Sequence, residues 1–215
     1  MADIRIDIIA DYVCPWCYLG YTRLSQAIEQ LGDDYKFDLR WQPFELHPEI
    51  PAEGVERDAY LSRKFGSQEK LNEVSHALQQ IGIQEGLEFN FSEEDIVPNT
   101  FLAHQLMTRA KSSVLGTPIA LALFEAYFTH GKNLGDKSVL IKIAEDAGME
   151  KSEIENLFCL EDQVLTEKKL KHLSTIDIHS VPTYVINDKF MIQGAHTADS
   201  LFKTLHDIIE NEELE

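Results

Sequence analysis

An apolar stretch from Ile4 to Ala10 runs straight into Cys14-Pro15-Trp16-Cys17 and then into a helix-patterned segment that closes near Leu31. A cysteine pair at the joint between a first strand and a first helix restricts the fold and the chemistry at once. Ile4, Ile6 and Ile8 alternate with Arg5 and Asp7 before Ile9 and Ala10 continue the apolar run, as in a strand entering a core. Leu19, Leu24, Ala27, Ile28 and Leu31 recur near helical spacing, and Gly32 supplies the stop. Phe37, Leu39 and Trp41 then alternate with Asp38 and Arg40 until Pro43 ends a second strand. Strand, helix and strand within about 40 residues make a βαβ unit, which predicts a parallel pair with a right-handed crossover.

Pro15 is the residue favoured at the first position of a helix, where its missing N–H has no partner to lose. Cys14 is therefore expected at the N-cap, with unpaired backbone N–H groups and the positive end of the helix dipole directed at its sulfur. That position favours the thiolate: a cysteine lowered by about two units is mostly ionised near neutral pH, whereas a free one is only a few per cent ionised. Cys14 reads as the nucleophile. Cys17, about one turn on, lies on the same face and is placed to resolve a mixed disulfide on Cys14. The plainer alternative is half a zinc site or two buried thiols. No second cysteine pair and no histidine pair at ligand spacing follows, so no metal is expected.

The chain has 215 residues, 44% hydrophobic and 26% charged, which suits one domain or one domain carrying a large insertion. Its formal net charge of −18, from 37 acidic and 19 basic residues, argues against a nucleic-acid or anionic-membrane partner. The acidic tail at Glu210, Glu212, Glu213 and Glu215 and the run from Lys168 to Lys171 read as solvated faces. The same acidity is expected to raise the thiolate pKa and oppose the helix effect at Cys14. No basic-then-apolar leader and no run of about 18 apolar residues is present, so the expected compartment is the cytoplasm, with no membrane span. With three cysteines in total, the close pair points to catalysis rather than a disulfide scaffold.

From Pro48 the chain becomes a polar loop through Pro51 and Gly54. Helices are then predicted near 57–65, 68–82, 99–112, 118–130, 137–147, 151–158 and 161–174, with Thr117-Pro118 as a start signal and Gly131 and Gly148 as stops. The helix from 118 is apolar nearly all round, so it either fills the core under the cysteine pair or forms a dimer face. Val181 to Ile186 and Lys189 to Gln193 read as two strands joined by a tight turn at Asn187-Asp188, and Thr197 caps a last amphipathic helix.

Cys14-Pro15-Trp16-Cys17 and Val181-Pro182-Thr183 occupy the places of the redox motif and the proline loop in thioredoxin-like proteins, and the helical block between them resembles the insertion of the DsbA-like branch. More narrowly, Asp11 to Gly20, Trp41 to Leu46, Pro98-Asn99-Thr100 with Ala103-His104, and Gln193-Gly194-Ala195 look like the FrnE-type proteins, nearly end to end. The resemblance implies an α/β thioredoxin fold, with residues 1–47 and 175–215 as the thioredoxin-like domain and 48–174 as a helical insertion. It also implies a cis bond before Pro182, set against the cysteine pair, and a Val181 backbone that pairs with substrate. The implied activity is thiol–disulfide exchange on protein or small-molecule thiols and disulfides, with glutathione a substrate rather than a bound cofactor. Kappa-class glutathione transferases and 2-hydroxychromene-2-carboxylate isomerases share the insertion but typically carry serine in place of Cys14. A glutathione-dependent isomerase or transferase is therefore the alternative.

The remaining candidates have two readings each. Trp16 either contacts substrate or is an exposed first-turn aromatic, and Phe44 and Trp41 either pack the core or wall the site. Asp11 either accepts a proton near Cys17 or is a turn residue. Cys159, among Leu157, Phe158 and Leu160, reads as core. His47, His104 and His196 read as scattered surface or capping residues. The protein is expected to be a monomer or a homodimer.

Overall fold

In the computed structural model, which describes residues 3–92, 94–110 and 113–212, the opening segment forms the predicted unit. Strand β1 (Asp3–Ala10), helix α1 (Pro15–Leu31) and strand β2 (Lys36–Pro43) follow one another. β1 and β2 pair in parallel, from Ile4 opposite Phe37 to Ala10 opposite Pro43. Ile6, Ile8, Ile9 and Ala10 are all buried, because β1 is an inner strand covered on both faces.

The helical block follows. A two-residue strand β3 (Val55–Glu56) leads into α2 (Arg57–Phe65) and α3 (Gln68–Glu85), and a matching strand β4 (Ile96–Val97) pairs back on β3 antiparallel. This short ladder was not predicted, since two residues carry no readable period. Next come α4 (Phe101–Arg109), α5 (Ser113–Phe128), α6 (Lys137–Asp146), α7 (Lys151–Glu155) and α8 (Leu160–Leu173). The start signal at Thr117-Pro118 is corrected: α5 begins at Ser113 and passes through Pro118. The carbonyl that a proline at 118 leaves unpaired is that of Val114, an exposed residue that water reaches. Lys111 and Ser112, assigned above to the preceding helix, and Glu213 and Glu215 of the acidic tail lie outside the described residues.

The chain then returns to the sheet with β5 (Thr183–Ile186), β6 (Phe190–Gln193) and α9 (Ala198–Glu212). The strand order is β2-β1-β5-β6, with β5 antiparallel to both neighbours. Asn187 and Asp188 have φ of 51° and 57°, and Lys189 N–H bonds the Ile186 carbonyl at 3.0 Å. That is a type I′ turn, the form whose twist suits a hairpin. Leu201, Leu205 and Ile208 of α9 are buried where that helix packs on α1.

Of the two readings of the apolar helix, the core one describes the fold. Ile119, Ala120, Leu123 and Phe124 of α5 are 0% exposed. The Phe124 ring stacks on Tyr18 at 5.0 Å and meets Tyr12 at 5.2 Å, directly beneath the cysteine helix. Burying each such side chain contributes about 1.5–3 kcal/mol, so α5 ties the helical block to the βαβ unit.

Candidate active site

Cys14 caps α1 with extended backbone (φ −90°, ψ 110°), and Pro15 opens the helix. The Cys14 carbonyl accepts the Cys17 N–H at 3.0 Å, while the Cys14 N–H bonds back to the Asp11 carbonyl at 3.1 Å. Across from the pair runs the loop containing Val181-Pro182, whose peptide bond is cis. The Cys14 thiol points at the Val181 carbonyl oxygen, 3.8 Å away. This approach is possible because residue 20 is glycine: a Cβ there would lie 2.5 Å from both Pro182 Cγ and Tyr184 Oη.

Both cysteines are free thiols, and their surroundings differ. Cys14 lines a cavity of about 430 Å³. One wall of the cavity comes from the cysteine loop and Val181, and the other from Leu61 and Phe65 of α2 and Leu71 and Leu78 of α3. Trp16 and Phe65 stand at its mouth, 43% and 41% exposed. Its basic and imidazole lining residues are Arg57, Lys64, His47 and His179, with no carboxylate among the described residues. The chain-wide acidity is thus carried outside the cavity lining. Arg57 and His179 are tied to Asp58 and Asp177 at 2.7 and 2.9 Å, which tempers their fields. Lys64 Nζ lies 3.0 Å from His47 Nδ1, and burial together with that lysine pushes the His47 pKa down.

Cys17 faces inward and is 1% exposed. Burial pushes its thiol well above the ordinary range, the hydrogen bond with Cys14 and the Cys14 charge push the same way, and the backbone N–H of Asp11 draws it partly back. Burial and the Cys17 charge likewise raise Tyr184, whose hydroxyl has no hydrogen-bond partner.

The other candidates fall into place by burial. Asp11 is both a turn residue, through its carbonyl, and a fully buried carboxylate whose Oδ2 accepts the Leu46 N–H at 2.7 Å. His104, expected at the surface, is instead 1% exposed on α4; an isolated histidine among apolar residues carries no sign of which face it takes. Phe44 lies outside the cavity lining: it packs half-buried against the core, and its carbonyl is 3.0 Å from His104 Nε2. Trp41 is core, with Nε1–H donating to Thr117 Oγ1 at 3.1 Å. Cys159 is half-buried rather than core, because it caps α8 and takes a hydrogen bond from Arg109 Nη2 at 3.3 Å. His47 was missed as a site residue because it lies in the loop after β2, far from Cys14 along the chain, and joins the cavity lining only in the folded molecule.

A cysteine pair at the mouth of the first helix, a cis-proline loop facing it, and a four-stranded sheet joined to a helical insertion define a thioredoxin-fold protein of the DsbA-like branch. The chain belongs to the DsbA-like thioredoxin domain family, whose profile matches residues 5–206. It is 30% identical over 206 residues to the Bacillus subtilis (strain 168) protein YwbO, covering 95% of this chain and 96% of that one. The fold is similar to that of a probable DsbA oxidoreductase from Streptomyces coelicolor, with a TM-score of 0.85 at 23% identity over 95% of this chain and 89% of the other. A 2-hydroxychromene-2-carboxylate isomerase structure is similar with a TM-score of 0.69 at 18% identity, over 98% and 99% of the two chains.

Proposed function

We propose that the protein is a thiol–disulfide oxidoreductase that works through Cys14 and Cys17. One observation carries the reading: of two thiols on one helical turn, Cys14 opens on a cavity and Cys17 is sealed behind it. The Cys14 thiolate attacks a substrate disulfide, forming a mixed disulfide and releasing one substrate thiolate. Cys17 gives up its proton and attacks the Cys14 sulfur. The intramolecular disulfide forms, the bond to substrate breaks, and the second thiolate leaves. Run backward, the same steps oxidise a dithiol.

Trp16 and Val181 flank the point of attack, and Pro182 shapes the groove. An extended peptide can pair with the Val181 backbone, and a small disulfide such as that of glutathione can enter the cavity. The reading keeps the cytoplasm as the place of action, where a lone close pair of cysteines is used for catalysis rather than for stapling. Among the described residues no helix is long and apolar enough to cross a membrane.

Insulin reduction, or oxidation of a dithiol peptide, tests the reading. Cys14→Ser should abolish turnover and Cys17→Ser should trap mixed disulfides; unchanged turnover in both variants sinks it. Glutathione-dependent turnover that survives Cys17→Ser would favour the isomerase or transferase alternative. A glutathione redox titration sets the direction, which among proteins of this architecture spans about 150 mV, or roughly five decades in equilibrium constant.

A further inference from the structure

The cavity that Cys14 lines is mostly apolar, and its few polar groups are not equivalent. Trp16 and Phe65 stand open at the mouth, while Leu71, Leu78, Tyr127 and Phe128 of the lining are buried. Its volume of about 430 Å³ falls in the range of about 300–1,000 Å³ that holds small organic ligands. Main-chain pairing at Val181 needs a surface, whereas an enclosed apolar space suits a small body.

Two of the basic lining groups are already engaged. Arg57 gives Nη1 to Asp58 at 2.7 Å and Nη2 to Ser75 Oγ at 2.9 Å, and its guanidinium lies 4.4 Å from the centre of the Phe91 ring. His179 Nε2 is 2.9 Å from Asp177. Lys64 and His47 remain, and they meet each other, with Lys64 Nζ 3.0 Å from His47 Nδ1. An ammonium can only donate, so Nδ1 is the accepting nitrogen, the ring is neutral, and its hydrogen is on Nε2. The depressed His47 pKa, from burial and then from Lys64, agrees. Tyr60 fixes the ring edge-on at 5.2 Å, with its hydroxyl shared between the same Nδ1 and the Glu49 carboxylate. Glu49 is thus the acid nearest this pair, but it is held by Tyr60 and lies outside the cavity lining. Among the described residues nothing accepts the His47 Nε2–H.

We propose that His47 Nε2–H and Lys64 Nζ form an anion seat in the wall of the Cys14 cavity, which makes the selected substrate a small disulfide carrying an apolar body and a carboxylate. The inference rests on the thiol–disulfide reading above and names the substrate class of that site. A neutral N–H and a cation side by side each give a carboxylate a charge-assisted hydrogen bond, and no carboxylate in the described lining competes for them. The buried apolar lining takes the body of the molecule. With one arm so held, the Cys14 thiolate attacks the sulfur–sulfur bond; one arm stays as the mixed disulfide, and the other leaves as thiolate. Cys17 then releases the first arm as described above. His47 and Lys64 select the substrate and take no part in the electron transfer.

Dithiobis(nitrobenzoate) and its neutral bis-amide share one aromatic body and differ in the carboxylate. Thiolate release from each is followed by absorbance on the reduced full chain carrying Cys159→Ser, with each rate divided by that of free cysteine at the same pH. The acid should half-saturate the chain at a concentration about tenfold below that of the amide, with limiting rates that differ far less. His47→Phe should bring that ratio to within about twofold of one, and His47→Gln, which keeps an N–H near the place of Nε2, should restore most of it. Acid and amide reacting alike in the chain with native His47 overturns the seat, and so does a His47→Phe loss that is equal on both and leaves their ratio intact, as packing damage would. Glutathione disulfide, acidic but polar, and a peptide disulfide should both exchange more slowly than the aromatic acid; a peptide that exchanges faster overturns the choice of occupant. Should His47→Phe fail to fold, nitrogen NMR on the native reduced chain decides: the His47 ring should be protonated at Nε2, and that nitrogen should shift on titration with nitrobenzoate, a flat signal overturning the proposal. No release from any of these disulfides would overturn the exchange reading and this inference with it, whereas release that ignores charge overturns this inference alone.

Discussion

The two faces of the first turn of α1 are unlike solvents for the same functional group. On the cavity side Cys14 looks out past Trp16 toward Lys64, His47 and Arg57, with no carboxylate among the described lining residues. On the inner side Cys17 is almost fully buried, and there the Asp11 charge acts on Cys17 and the Cys17 charge on the buried Tyr184. An anion is opposed on the second face, where burial raises the Cys17 thiol pKa. Two sulfurs that their spacing leaves symmetrical are thus made unequal by burial: one lines the open cavity, and the other is sealed behind it with its thiol pKa raised.

Exchanging the two thiols one at a time is the strongest way to break this comparison. Cys14→Ser should lower insulin reduction by about a thousandfold or more, and Cys17→Ser should accumulate mixed disulfide visible by mass spectrometry. Equal behaviour of the two variants would erase the asymmetry. A milder probe leaves both sulfurs in place. With iodoacetamide near pH 7, Cys14 should be labelled about a hundredfold faster than Cys17, the gap narrowing as pH rises toward the elevated Cys17 range.

The same elevation affects stability. A thiol whose folded pKa lies above its unfolded one keeps its proton longer in the folded state, so its contribution is whole below about pH 8.5 and is lost as pH rises beyond it. Reduced protein should therefore lose stability faster than oxidised protein in alkaline solution, by up to about 1.4 kcal/mol per pH unit, in denaturant titrations. Parallel curves for the two forms would show that Cys17 is not held neutral by its surroundings.

Gly20→Ala tests the seal between the faces. The added methyl meets Pro182 and Tyr184 at 2.5 Å, so the proline loop must move off α1. A cost of about 1–3 kcal/mol and a fall in Tm of several degrees should follow, together with a smaller labelling gap between the cysteines. The smallest expected effect is Lys64→Glu. It should slow Cys14 attack on an anionic aromatic disulfide about threefold, and less at high salt, while hardly changing attack on a neutral one.

Much of the scaffold was legible because short-range rules govern it. The alternation of Ile4, Ile6 and Ile8 marked an inner strand, Pro15 marked a helix start, and Asn187-Asp188 marked a hairpin. Where those rules met a longer element they misled: Pro118 signalled a start within a helix that begins a turn and more earlier. The cationic lining was hidden because Arg57 and Lys64 lie over 40 residues from Cys14, and no local pattern says that α2 will wall the cavity Cys14 lines. The burial of His104 was hidden for a related reason, since an isolated histidine does not show which face it takes until its neighbours are known.

The order of residues along the chain determined the βαβ unit, the place of the cysteine pair at a helix mouth and the return hairpin, because each follows from backbone chemistry within a few residues. Only the tertiary structure decided which sulfur lines the open cavity and which is sealed behind it with its thiol pKa raised. Burial and through-space charge depend on which distant segments pack together, and separation along the chain does not encode them.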